Sequence, residues 1–182
     1  MRRPVVAGFV LAALAVSCLQ ASAQPSRATF KSEDKDGLPV ATFSFGAGDH
    51  AYSGMVFCAK GHRFLAIEDR VGTVPPALRA IFNAPAEFTA DGKPIAGHAT
   101  YVAASGVMPA MIFFDVPALD RHAFDGDGLS LTSITNPRPS PIESAGVERA
   151  VWAAAVRAFA FTIVATNGEQ ILMPVFRNCT PR

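Results

Sequence analysis

Charge is scarce in this sequence. Asp, Glu, Lys and Arg make up 17% of its 182 residues, against roughly 25% in ordinary soluble proteins. The basic residues are scattered, and the lack of any Lys/Arg stripe argues against a nucleic-acid partner. No polybasic segment offers itself to an anionic membrane either. Cysteine is sparse too, with 3 in the chain, and none forms the C-x-x-C pair of a redox motif or zinc ribbon. The histidines, His50, His62, His98 and His122, never fall at H-x-H or H-x-x-x-H spacing, so no metal centre is predicted. There is no G-x-S-x-G elbow, and Ser32-Glu33-Asp34-Lys35 matches S-x-x-K only as letters in a charged stretch. Internal repeats, heptads and low-complexity tracts are absent, and nothing implies a cofactor.

What is present begins at the N-terminus. Arg2 and Arg3 precede an apolar run from Val5 to Val16, and Ala21-Ser22-Ala23 places small residues at the −3 and −1 positions of a cleavage site. That order is the signature of a secretory signal peptide over residues 1–23. The run is too short for a bilayer span, which needs roughly 20 apolar residues. No stable membrane insertion is therefore expected after cleavage. A twin-arginine reading fails at Pro4 and Val5. Lipidation of Cys18 stays the alternative to its removal, although no Leu stands three positions upstream. The expectation is a periplasmic or secreted protein with a single domain over residues 24–182, long enough to bury a sizeable core. Loss of the two leader arginines turns the formal charge of +1 into −1.

Cleavage also removes Cys18 and leaves Cys58 and Cys179, an even pair in an oxidising compartment. This predicts a structural disulfide between them, worth about 4–5 kcal/mol on the loop-entropy account.

Strand signals dominate the rest. Ala41 to Phe45 alternates with period two, which puts Phe43 and Phe45 on one face. Met55–Cys58 and Phe64–Ile67 flank Lys60-Gly61-His62 as one hairpin. Glu87–Ala90 and Lys93–Ile95 flank Asp91-Gly92 as a second, with Pro94 pointing to an edge strand. Ser32 to Gly37 reads as a charged turn. Further strands are predicted over Ala99–Ala103, Ala110–Asp115 and Leu129–Ile134, and a short helix over Pro76–Phe82. Ser140-Pro141-Ile142-Glu143 is a capped helix start, predicting a helix to about Ala158. After it, Asn167-Gly168 predicts a third hairpin between Phe161–Thr166 and Glu169–Val175. The expected fold is mainly β: a single-domain β-sandwich or partly open barrel with one C-terminal α-helix followed by a β-hairpin.

Catalytic chemistry is hard to place. Asp49-His50 with Ser53, and Asp120 with His122, invite a Ser-His-Asp reading that only spatial geometry can support. Asp125-Gly126-Asp127-Gly128 resembles half a calcium loop. Against the EF-hand pattern, however, Ala123 and Ile134 stand where the first Asp and closing Glu belong, so a tight turn is expected. Asn178-Cys179-Thr180 is a formal glycosylation sequon. The helix is the stronger binding candidate. From Val147 to Ala160 only Glu148, Arg149 and Arg157 are charged, and Trp152 and Phe159 share a face. Burial against the sheet would explain this, and so would an interaction surface made of Trp152 and Phe159, or of Met111 and Phe113 on a sheet face. The Ala/Arg helix followed by Phe161 to Val175 resembles the end of small exported bacterial proteins of the invasion-associated locus B type. The N-terminal half has no matching tryptophan–cysteine pattern, and no function is carried over.

These observations predict an exported envelope protein that works as a non-catalytic binding module, with a protein partner or a second copy of itself. The rival readings are a small periplasmic hydrolase built from dispersed Ser, His and Asp residues, and an inhibitor of an exported enzyme presenting the loop Ala104–Pro109. If Cys58 and Cys179 are bridged, Cys58→Ser and Cys179→Ser lower the melting temperature equally and the double variant is no worse than either. Additive losses in thermal melts would refute the bridge.

Overall fold

The computed structural model describes residues 26–46, 51–70, 73–136, 145–177 and 179. The expected leader with Cys18, the residues Asp49 and His50, the Ser140–Glu143 cap, and Asn178 and Thr180 of the sequon lie outside them. Nine strands form a closed barrel: β1 (Ser26–Lys35), β2 (Leu38–Phe45), β3 (Tyr52–Ala59), β4 (His62–Glu68), β5 (Ala84–Ala90), β6 (Lys93–Val102), β7 (Met111–Asp115), β8 (Leu129–Ile134) and β9 (Thr162–Ala165). Around the barrel the order is β1-β2-β3-β4-β7-β6-β5-β8-β9. Neighbours are antiparallel except where β9 runs parallel to β1 and closes the ring. The expected sandwich or partly open barrel is thus a closed one, because β9 pairs with β8 on one side and β1 on the other and leaves neither as an edge.

Period-two alternation sends one set of side chains inward. Phe30, Phe43, Val56, Leu65, Ile67, Phe88, Ile112, Phe114 and Leu129 are all buried in one continuous core. Aromatic rings dominate it, with centroids 5.1 Å apart for Phe30–Phe43, 5.2 Å for Phe88–Phe114 and 5.3 Å for Phe30–Phe124. At one end of the barrel, helix α1 (Ala145–Phe159) packs on a 3-10 turn, Pro76–Ala80. It buries Ala155, Val156 and Phe159. At the other end, helix α2 (Gly168–Arg177) packs against β1, β2, β3 and a second 3-10 turn, Arg121–Phe124. Cys179, just past α2, meets Cys58 of β3 at disulfide geometry, with S–S 2.08 Å and Cα–Cα 5.3 Å across a sequence separation of 121. The bridge fastens α2 to the barrel wall.

Three two-residue loops sit at the α2 end. Asp36-Gly37, Lys60-Gly61 and Asp91-Gly92 have φ values of 56° and 79°, 52° and 82°, and 49° and 72°, the pattern of type I′ turns whose twist matches the flanking strands. The tightness of the first corrects the expected Ser32–Gly37 turn. Pairing persists to Lys35↔Leu38, so Ser32–Lys35 extend β1, with Thr42 donating to Glu33 at 2.9 Å. Pro94 lies inside the ring and not on an edge strand. It faces Thr89 one pair beyond the turn, where β5 and β6 exchange no hydrogen bond. On its other side β7 pairs β6 only over His98–Val102.

The expected third hairpin does not form, because Asn167 does something other than turn a strand back. Its Oδ1 accepts from the Phe30 amide at 2.9 Å and its Nδ2 donates to the Phe30 carbonyl at 2.8 Å, so the side chain imitates a strand partner of β1. Residues 168–177 then follow helical periodicity. Leu172 and Val175 are buried, and Ile171 and Phe176 pack beside them. Asn167→Ala leaves both Phe30 backbone groups without this partner, and is expected to lower stability by about 2–4 kcal/mol, measured by urea unfolding. An unchanged midpoint would mean that water replaces the clamp.

Candidate functional site

The outward positions of a barrel meet solvent and are ordinarily polar. On β1 they are Lys31, Glu33 and Lys35; on β8 they are Ser130 and Thr132. On β3, β4 and β7 they are not. Met55 and Phe57, Phe64 and Ala66, and Met111 and Phe113 occupy outward positions on these three consecutive strands. The register sets Phe57 beside Phe64, Ala66 beside Phe113, and Val40 of β2 beside Phe57. The Phe57 and Phe64 rings stack with centroids 5.1 Å apart, and Phe113 meets Phe57 edge-on at 6.3 Å. Val40, Ala66 and Met111 are buried, yet none belongs to the interior core. The outer wall therefore carries a second, external apolar cluster.

Polar groups border this face. At the α2 end, His62 Nδ1 lies 2.8 Å from Asp115 Oδ2, the imidazole stacks on Phe64 at 6.1 Å, and His98 lies opposite Asp115 in register. The second Asp115 oxygen is buried with no hydrogen-bond partner among the described residues. At the α1 end, Arg70 Nε pairs with Glu68 at 2.8 Å. Beside the face runs a shallow groove of about 430 Å³, lined by Lys31, Glu33, Thr42 and Ser53 and reaching Met55 and Met111.

The four predicted interaction residues separate. Met111 and Phe113 belong to the outer face. Phe159 is fully buried between Phe114 and Phe161, and Trp152 is half-buried, its indole N–H donating to the Ile134 carbonyl at 2.7 Å. Phe159 is core and offers no surface, because the helix lies over the open end of the barrel and must fill it, while Trp152 keeps part of its ring exposed. Val40, Met55, Phe57 and Phe64 went unnoticed in the sequence. The signal for them was there: Met55–Cys58, Phe64–Ile67 and Ala110–Phe114 are unbroken apolar runs, where an antiparallel strand with one wet face should alternate.

The dispersed Ser/His/Asp residues do not assemble into a triad among the described residues. His122 Nδ1 lies 3.0 Å from Asp125, while its Nε2 accepts from Arg121 Nε at 3.0 Å, so Arg121 occupies the position a nucleophile would need. Asp120 caps the Arg121–Phe124 turn by accepting from the amides of His122 and Ala123. Asp120, His122 and Asp125 line a cleft of about 550 Å³ with Asp91 and Lys93. Asp125-Gly126 forms a turn, with Gly128 N donating to the Asp125 carbonyl at 2.8 Å. No group of three or more His, Cys, Asp and Glu able to hold a metal occurs among the described residues. None of their helices is long and apolar enough to cross a membrane.

A carboxylate at the α1 end organises the loop before β5. Asp69 accepts from Val74 N at 3.0 Å, from Arg79 Nε at 2.9 Å and from the Tyr101 hydroxyl at 2.8 Å. Desolvation, then donation to Asp69 and repulsion from its charge, raise the Tyr101 pKa, with Arg79 opposing. Burial alone raises that of Tyr52. The chain matches no known family model, no curated protein and no solved structure.

Because both phenols titrate higher in the folded protein, they contribute stability below the ordinary value of about 10, and this is lost as pH rises beyond it. An absorbance titration is expected to show native tyrosinate forming only above that value. Tyr101→Phe should flatten the alkaline fall in melting temperature. Half-ionisation of both tyrosines near pH 10 in the native state would contradict the shifts.

Proposed function

We propose that this is an exported, non-catalytic binding module that docks a protein partner on the outer wall of β3, β4 and β7. The observation that carries the reading is the external cluster of Val40, Met55, Phe57, Phe64, Met111 and Phe113, on the side of a barrel where polar residues belong. Aromatic and methionine side chains are those enriched at the centres of protein interfaces, and His62/Asp115 and Arg70/Glu68 supply a polar rim at either end. Low overall charge accords with a surface part of which is covered. Export is supported by the basic, apolar and small-residue order of residues 1–23 and by a disulfide that persists only in an oxidising compartment. The hydrolase reading draws no support from the histidine geometry, since neither His62 nor His122 is bonded to a hydroxyl.

Native mass spectrometry on the protein from its host's envelope fraction tests this. The expected result is a stoichiometric complex with a second chain, reduced at least tenfold in affinity by Phe57→Ser with Phe113→Ser, since each ring removed from an interface costs more than about 1.4 kcal/mol. A bare monomer, or a complex indifferent to the two substitutions, would overturn the reading.

A further inference from the structure

A second apolar surface lies at the α1 end of the barrel and is independent of the outer wall. The β6–β7 connection is a tight turn in which Ser105 and Met108 exchange both backbone hydrogen bonds, each at 3.0 Å. Val107 at its tip is completely solvent-exposed at 106%, with Met108 beside it at 45%. Phe82, 78% exposed, projects from the segment entering β5. The Tyr101 amide donates to the Ile81 carbonyl at 3.1 Å, and the Asn83 amide donates to Thr100 Oγ1 at 3.0 Å. Both projections are therefore fixed to the same end of β6, and neither is a loose loop. The 3-10 turn leading to Phe82 packs on α1, whose solvent-facing arc carries Ala150, Val151, Ala154 and Ala158. Of the five exposed large hydrophobic residues among those described, Phe82, Val107, Met108 and Val151 share this end, and Leu38 does not.

We infer that this end rests on the surface of a lipid bilayer, with Val107, Met108 and Phe82 reaching between headgroups while the barrel stays in water. Separately projecting, highly exposed tips suit a fluid, deformable surface better than a folded partner, which would need a matching pocket for each. Exposed Arg157 on α1 lies at the same end of the barrel, where an anionic headgroup complements it. Contact of this kind is shallow and reversible, unlike a membrane span, and it does not depend on a polybasic tract.

Vesicle flotation with phosphatidylcholine alone, and with phosphatidylcholine/phosphatidylglycerol mixtures, tests the inference. The tips are solvent-exposed, so Val107→Asp and Phe82→Asp leave packing intact, which circular dichroism melts would verify. The wild-type protein is expected to float with vesicles, and each substitution to reduce the bound fraction about tenfold. Arg157→Gln should weaken binding about fivefold on the anionic vesicles only. Phe57→Ser with Phe113→Ser should leave flotation unchanged, which separates this surface from the docking wall. Wild-type protein that stays at the bottom of the gradient, tip variants that float as well as wild type, or flotation that follows Phe57 and Phe113 would each overturn it.

Discussion

The parallel pairing of β9 with β1 is the interaction on which the rest depends. It covers only Ser26↔Ile163 to Ala28↔Ala165, yet it converts a curled sheet with two open edges into a ring. Parallel ladders are slightly weaker per residue than antiparallel ones, and this one is short. Two side chains continue it. Asn167 holds Phe30 by donor and acceptor together, and Thr166 adds a bond from its hydroxyl to the Ala28 carbonyl at 3.1 Å. Polar side chains thus carry on the ladder past the point where β9 ends, and the turn they occupy delivers the chain into α2.

Closure in turn dictates what the helices do. A barrel so rich in phenylalanine has two mouths, and the rings inside them must be sealed from water. The α1 helix covers one with Phe159 and Trp152, and α2 the other with Leu172 and Val175. The Cys58–Cys179 bridge keeps the second lid in register with the wall. Its sulfurs are buried, so a reductant must open the lid before reaching them.

Much of the barrel was legible in the sequence because the signals are local. Asp91-Gly92 and the alternation around Phe43 dictate turn and face by short-range sterics alone, and once the expected leader with Cys18 is set aside the two remaining cysteines leave a single pairing. What could not be read is non-local. Asn167-Gly168 is a strong hairpin signal until Phe30, far away in sequence, supplies a backbone for the Asn side chain to bind. Sandwich and closed barrel differ only in whether β9 finds β1, and no short-range pattern encodes that meeting. The outer apolar wall was half legible. Met111 and Phe113 were singled out as lying on a sheet face, but Phe57 and Phe64 looked like core, because a strand with both faces apolar looks the same whether its second face meets protein or solvent. Phe159 misled in the opposite sense, since a helix with little polar surface is also what a barrel lid requires.

Joining the first described strand to the last also sets a timetable. Every contact across that seam spans more than a hundred residues, and pairings so distant form late and slowly. Until β9 arrives, β1 and β8 are unpaired edges flanked by phenylalanine, the kind of surface on which chains stick to one another. Closure of the ring waits on residues 162–165, so a chain halted before they are released keeps both edges open.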